Sequence, residues 1–459
     1  MSISINKTIS TTALEFDLIS EKLQGNILNS HGRDNAWQLF ISFKSGKDAK
    51  NCIRKYLRKR VTSAKKQLDD SKAYKKNNRC KNRVFYNLSL SASGLAKLGI
   101  TDFSLFKDEF TQGAKSRIAK LKDPKESQWQ DDLAKDWDCV FILASSSKKL
   151  LNSCLNRLKK KIKKYTLDLH VEIGEGIRNE AGDHIEHFGY VDGISQPHLL
   201  TDKVDGGKIL ASKWDPRAKL DLVLIKDPLV AEENAFGSYF VFRKLEQNVK
   251  AFREAEENLA TKLGTGIAHA GAQMVGRFQN GMPLTLSPSP DPFVPPLNNP
   301  PGKMNDFKYN QDTNGSKCPF HAHIRKTNPR GSGGIQSQMK TPQMGRRGIT
   351  YGIDFTKSNK HPEKGVGLLF MAHMADIEDQ FEFMQASWSN NTNFPPNDNN
   401  KPTGIDPVIG QPSQTKGNYY ETWNDPASRK QLKPSMKTFV TMKGGEYFFT
   451  PSISFLKSL

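Results

Sequence analysis

The feature that most constrains the fold is an echo between the two halves of the chain, in which an apolar run is followed each time by a helical pattern. Trp37–Phe43 (WQLFISF) precedes a helical stretch from Lys47 to about Leu68, and Tyr239–Phe242 (YFVF) precedes one from Leu245 to about Leu263. Later in each half, Val84–Leu90 leads into Ser91–Leu98, as Gly367–Ala372 leads into Ala375–Trp388. Further strands are expected at Cys139–Ala144, Leu167–Ile173, Thr438–Met442 and Tyr447–Thr450. Short strands of alternating apolar and polar residues, spaced by helices, argue for antiparallel sheets with helices on one face. The expected class is α+β, two similar sandwiches meeting near Lys226–Gly237.

Length and composition set the surroundings of this frame. A chain of 459 residues suffices for two core-forming domains. No run approaches the roughly 20 apolar residues of a membrane span. The opening MSISINKTISTTALEF lacks a basic region followed by an apolar one, so a cytoplasmic location is expected. Cys52, Cys80, Cys139, Cys154 and Cys318 show no C-x-x-C spacing and read as free thiols. The net charge of +20 includes basic runs at Arg54–Arg60 and Arg157–Lys164, which fall on helical patterns and read as solvated faces. They lack aromatic interleaving, and no zinc-finger spacing occurs, so neither nucleic acid nor membrane is an expected partner. Eight prolines between Pro283 and Pro301 and the Asn- and Pro-rich Ser389–Asn418 mark long loops, a common setting for function.

Three segments carry chemistry. CPFHAHIRKTNPR (Cys318–Arg330) places His323 on a polar, charged loop between Pro319 and Pro329. FGYVDGISQP (Phe188–Pro197) carries Asp192, and RRGITYG (Arg346–Gly352) opens on two adjacent arginines. Peroxide cleavage at a haem needs a basic axial ligand, a group that moves a proton between the two oxygens, and a positive charge facing the separating negative one. Taken alone, His323 could be a hydrogen-bonded structural histidine and Asp192 a turn residue before glycine. In an extended segment His321 would point the same way as His323.

Together these segments resemble the dye-decolourising peroxidase superfamily of haem enzymes, as do FGSYFVFRKLEQNV (Phe236–Val249), MVGRFQNGMPL (Met274–Leu284) and FEFMQASWSNN (Phe381–Asn391). The resemblance runs in order from about Leu18 to the C-terminus and lies nearest the branch of fungal enzymes and long-loop bacterial relatives. It implies a fold of the dimeric α+β barrel type, with an N-terminal extension (1–17), a ferredoxin-like domain with the GxxDG loop (18–230) and a ferredoxin-like haem-binding domain (231–459). It further implies haem b, with His323 as iron ligand, Asp192 as distal acid–base residue and Arg346, or failing it Arg347, as distal cation. Asp406, in TGIDPVIG, matches the carboxylate that takes the other ring N–H of the ligand. Gly193, Ile194, Ser195 and Gln196 are expected at the cofactor, Leu368 and Phe370 over its distal side, and Arg325 and Arg330 at its propionates.

In relatives of this kind, surface aromatics pass electrons from bulky donors inward, and Tyr351, Trp388 and Trp423 are the candidates here. The implied reaction is reduction of hydrogen peroxide with one-electron oxidation of phenols or dyes by a monomer or homodimer. Mildly acidic solution should suit it, because an ordinary aspartate titrates near about 4. Two competing readings are a haem-handling protein without turnover and a basic nucleic-acid-binding protein.

Overall fold

A computed structural model describes residues 2–77, 83–290, 302–332, 341–355, 360–397, 402–411, 419–420, 431–432 and 438–459. Its main feature is a ten-stranded sheet: β1 Asn35–Phe43, β2 Phe85–Leu90, β3 Cys139–Ser145, β4 Thr166–Glu175, β5 Ile225–Lys226, β6 Phe236–Gln247, β7 Gly345–Arg346, β8 Ile349–Tyr351, β9 Gly367–Met374 and β10 Val440–Thr450. The order is β8-β9-β6-β10-β2-β3-β1-β4, with β5 on β6 and β7 on β9. Each half therefore repeats one order: second, third, first, fourth. The ferredoxin-like repeat is present, but the two sheets are continuous rather than separate sandwiches. They join through the pair Phe449↔Leu90 and a 2.6 Å hydrogen bond between the hydroxyls of Ser89 and Thr450.

The far ends also meet. Thr350 Oγ1 donates to the Glu175 carbonyl, and a Cβ at Gly174 would lie 2.3 Å from Ile349 Cγ2. Only glycine allows β4 to approach β8 this closely, and the sheet curls into a barrel. Its inner face pools apolar residues of both halves, among them Phe40, Phe242 and Phe448, with Phe40 and Phe242 edge to face at 4.9 Å. Its outer face packs Trp37, Leu39, Ile41 and Phe43 in one core with Leu151, Leu155, Leu158 and Ile162 of the helix Lys148–Ile162. Burial on both faces explains why these strands read as apolar runs rather than a clean alternation.

Several expected elements shift for local reasons. The echo matched Val84–Leu90 to Gly367–Ala372, but these are second and third strands. The true counterpart of β2 is β8, whose three residues are too few to show a period. The helix from Lys47 breaks after Leu57 because Thr62 bonds across to Tyr86 and Gly25, and Ser63 Oγ then accepts Lys66 N–H to start a new helix. The helix expected from Leu245 begins at Val249, capped by Asn248, since β6 continues to Gln247. Thr438–Met442 and Tyr447–Thr450 are one strand interrupted by a bulge between Met442 and Gly445.

Residues 2–17 pack against the body of the protein. Ile3, Ile9 and Phe16 are buried with Leu199, Leu220 and Leu222, and the helix Leu14–Ser20 runs through the expected boundary. Among the described residues no helix is long and apolar enough to cross a membrane. The described cysteines are free, and Cys80 lies outside the described residues.

Candidate active site

Asp192 is held by a small hairpin. Its N–H bonds the His184 carbonyl at 3.0 Å, Ile185 bridges Val191, and the chain reverses over Glu186–Tyr190 with Gly189 at φ +87°. Gly193, at φ +84°, sends its N–H back to Asp192 Oδ1 at 2.6 Å, which fixes the carboxylate's direction. The side chain faces a cavity of about 260 Å³ between the outer face of β6, β9 and β10 and the segments around Val275, His323 and Met384.

His323 lines the same cavity. It opens the short helix His323–Thr327, and its Nδ1 lies 2.8 Å from Asp406 Oδ2. Asp406 is fully buried, and its Oδ1 accepts the N–H groups of Val408 (2.8 Å) and Ile409 (3.1 Å). Those two donors fix the carboxylate, the carboxylate fixes the proton on Nδ1, and Nε2 is left with its lone pair toward the cavity. Burial pulls the His323 pKa down, but the charge and hydrogen bond of Asp406 outweigh it, so the net shift is upward. Arg346 and Asp192 also act on this ring, which puts both within electrostatic reach of it.

His321 is separated from this arrangement. It is buried, its Nδ1 lies 3.2 Å from the Thr403 carbonyl, and burial pushes it down to about 3. The stretch expected as a polar loop is in fact interior: Cys318, Ala322, Arg325 and Lys326 are fully buried. Arg325 is a correction. Two positions beyond His323 on a helix is about 200° around the axis, and the guanidinium turns away to Asp312 (2.8 Å) and Ser332 (2.8 Å). Its other faces lie against Tyr309 and Phe320, so it is no propionate partner.

The arginine pair separates cleanly. Arg346 lines the cavity, whereas Arg347 is spent on the carbonyls of Asn26 and Ile27. Gln196 lies outside the wall but clamps both backbone groups of Arg346, at 3.2 and 3.3 Å. Gly193, Ile194, Ser195, Leu368 and Phe370 all line the cavity. Sequence reasoning missed Arg277, the only arginine in MVGRFQNGMPL and 4% exposed. It donates to Ser195 Oγ at 3.0 Å and to the carbonyls of Gly281 and Met304, and it forms no ion pair among the described residues. Burial pushes it down to about 10. Arg330, buried against Trp214 and Phe307, reaches the same Ser195 hydroxyl at 3.3 Å from behind the wall.

A model of the DyP dimeric alpha+beta barrel domain matches residues 22–175. The multifunctional dye peroxidase DyP2 of Amycolatopsis sp. is 40% identical over 455 residues, spanning 96% of this chain and 95% of that protein. Its solved structure superposes with a TM-score of 0.89, at 38% identity over 100% of both chains. The dye-decolorizing peroxidase msp1 of Mycetinis scorodonius is 31% identical over 404 residues, 81% of this chain and 76% of that protein. The solved DyP-type peroxidase of Anabaena sp. superposes with a TM-score of 0.88, at 37% identity over 98% of this chain and 97% of that one.

This chain belongs to the dye-decolourising peroxidase family.

Dye-decolourising peroxidases are haem enzymes, and the donor set fits that group. One imidazole nitrogen is oriented into an apolar-walled cavity with Ile324, Leu368, Phe370 and Val440 in its lining. In the same wall Arg277, a buried guanidinium without a carboxylate partner among the described residues, would suit an anion such as a haem propionate. The electron-relay candidates of this family member are less exposed than expected. Tyr351 is 7% exposed beneath Lys244 Nζ, and Trp388 is 5% exposed and stacked on Phe394 at 4.9 Å, so neither ring lies on the surface. Both are core aromatics of their packing layers, the commoner fate of large rings. Trp423 lies outside the described residues.

Proposed function

We propose that this peroxidase binds haem b, with His323 Nε2 as the iron ligand and Arg277 and Ser195 at the propionate edge. The bound group would supply the two-electron oxidation by hydrogen peroxide and two successive one-electron reductions. Asp406 keeps the proton on His323 Nδ1 and makes the ligand more basic. Asp192, in the wall of the same cavity, would serve as the acid–base group that moves a proton from one peroxide oxygen to the other, which leaves as water. The Arg346 guanidinium faces the negative charge that develops on the departing oxygen, while Leu368 and Phe370 keep bulk water out. The donors proposed are phenols and dyes, as in the relatives named for dye oxidation and in a solved dye-decolorizing peroxidase complexed with 2,6-dimethoxyphenol. Buried Tyr351 and Trp388 are proposed as relays for donors too large for the cavity.

The observation that carries this reading is that Asp192, Arg346 and the free nitrogen of His323 converge on one cavity. Asp192→Asn and Arg346→Leu test it. Each should lower turnover about 10²- to 10⁴-fold with one haem still bound per chain. Unchanged turnover in both variants would remove Asp192 and Arg346 from the chemistry, whereas a haem-loaded parent with no turnover above free haem would favour a haem-handling protein instead.

A further inference from the structure

The cavity wall holds a second carboxylate, Glu186, which none of the chemistry above uses. Its two oxygens sit inside the hairpin that presents Asp192. Oε2 accepts the Phe188 N–H at 2.8 Å and Oε1 accepts the Tyr190 N–H at 3.0 Å. Gln247, at the end of β6, donates its amide to Oε2 and ties the clasp to the sheet. The backbone repeats the link, with Glu186 N–H on the Tyr190 carbonyl at 3.1 Å and Gly189 N–H on the Glu186 carbonyl at 2.8 Å. Because Ile185 pairs with Val191, residues 184, 186, 190 and 192 share one face of the hairpin. Glu186 and Asp192 therefore look into the same space.

We infer that Glu186 is a positioning residue for Asp192: its carboxylate closes the hairpin tip and thereby holds the acid–base group at one place and angle over the cavity. This rests on the reading of Asp192 given above. A carboxylate in this wall is costly to bury. Burial pushes Glu186 up to about 7, opposed by the hydrogen bonds from Phe188, Gln247 and Tyr190, with Asp192 adding to the rise. An apolar side chain would avoid that cost but could not accept two N–H groups from a turn only five residues long. Gln247 suits a brace for such a group, since its Oε1 has no partner among the described residues and could accept a hydrogen bond from the O–H of a protonated Glu186 if the amide turned over. Proton-transfer geometry is sensitive to small displacements, so a loosened tip should slow the peroxide step without changing donor affinity.

The test uses the haem-loaded protein with Glu186→Gln, Asp192→Asn and the double variant. The rate constant for reaction with hydrogen peroxide is read by stopped flow, and backbone hydrogen exchange of the 184–192 segment is read in the same proteins. Glutamine keeps one acceptor and presents an amide to the other N–H. The expected results are a peroxide rate about tenfold lower, an unchanged KM for a dye, and faster exchange in that segment. A residue acting through Asp192 should add no further loss in the Asp192→Asn background. The inference is overturned if Glu186→Gln reacts like the parent while Asp192→Asn is slow, or if the two losses multiply. If Asp192→Asn itself keeps the parent rate, the underlying reading fails instead and takes this one with it. Should Glu186→Gln fail to bind haem, Glu186→Asp decides: it keeps the charge, reaches only one N–H, and should fall between parent and Asp192→Asn, whereas a parent-like rate refutes the clasp.

Discussion

Replacing Asp406 with Asn should invert the tautomer of His323. The buried Oδ1 already accepts two backbone N–H groups, at 2.8 and 3.1 Å, and an NH₂ placed there would meet both donors. The asparagine must therefore keep its carbonyl at that position and turn its NH₂ toward His323 Nδ1, 2.8 Å from the original Oδ2. A donor facing Nδ1 forces the ring proton onto Nε2, the nitrogen that faces the cavity, which blocks its lone pair. A hydrogen bond to a charged group contributes about 1.5–3 kcal/mol, so haem affinity should fall roughly 10- to 100-fold. The assay is a titration of the haem-free protein followed by Soret absorbance, with the fold checked by far-ultraviolet circular dichroism. Affinity within threefold of the parent, with an unaltered spectrum, would refute the account of how the carboxylate orients the ring.

Three further outcomes follow from the same geometry. Arg277→Met removes a buried cation that has no carboxylate partner among the described residues, so the haem-free protein should melt within a few degrees of the parent while haem affinity drops about tenfold or more; equal haem affinity would remove Arg277 from the propionate edge. His321 is neutral in the fold, with its pKa depressed to about 3 by burial, so the native state binds fewer protons than the unfolded chain below pH about 6.5. Its contribution is complete above that value and is lost as pH falls toward the folded pKa, about 2 kcal/mol by pH 5; denaturant titrations of the haem-free protein at pH 7 and 5 should show His321→Gln losing less stability over that range. The net charge of +20 should draw anionic dyes, so KM for a sulfonated dye should rise several-fold between about 20 and 300 mM salt while that of a neutral phenol stays level.

The chemistry was more legible in the sequence than the architecture. His323, Asp192 and Arg346 were identifiable because each sits in a motif whose residues resemble one family in one order, and the structure brings all three to one cavity. The barrel was legible only through the family resemblance, because its closure depends on the three-residue strand β8 and on Gly174, neither of which carries a periodic signal. Arg325 was misplaced because Cys318–Arg330 reads as charged and hence as exposed, while its charges are buried with partners distant in sequence, such as Asp312. Read as a helix from His323, the segment would have put Arg325 on the far side. Arg277 had a signal that went unused: it is the one cation in an otherwise neutral motif. The role inferred for Glu186 depends on a hairpin register that spacing alone does not reveal.

The central claim is most directly tested by titrating haem into the parent protein and into His323→Ala, each with and without free imidazole. The parent should take up one haem per chain with the spectrum of a histidine-ligated ferric centre, and His323→Ala should lose that spectrum and regain it when imidazole fills the space left by the side chain. If His323→Ala binds haem with the parent spectrum and no added imidazole, the ligand lies elsewhere and the account is wrong.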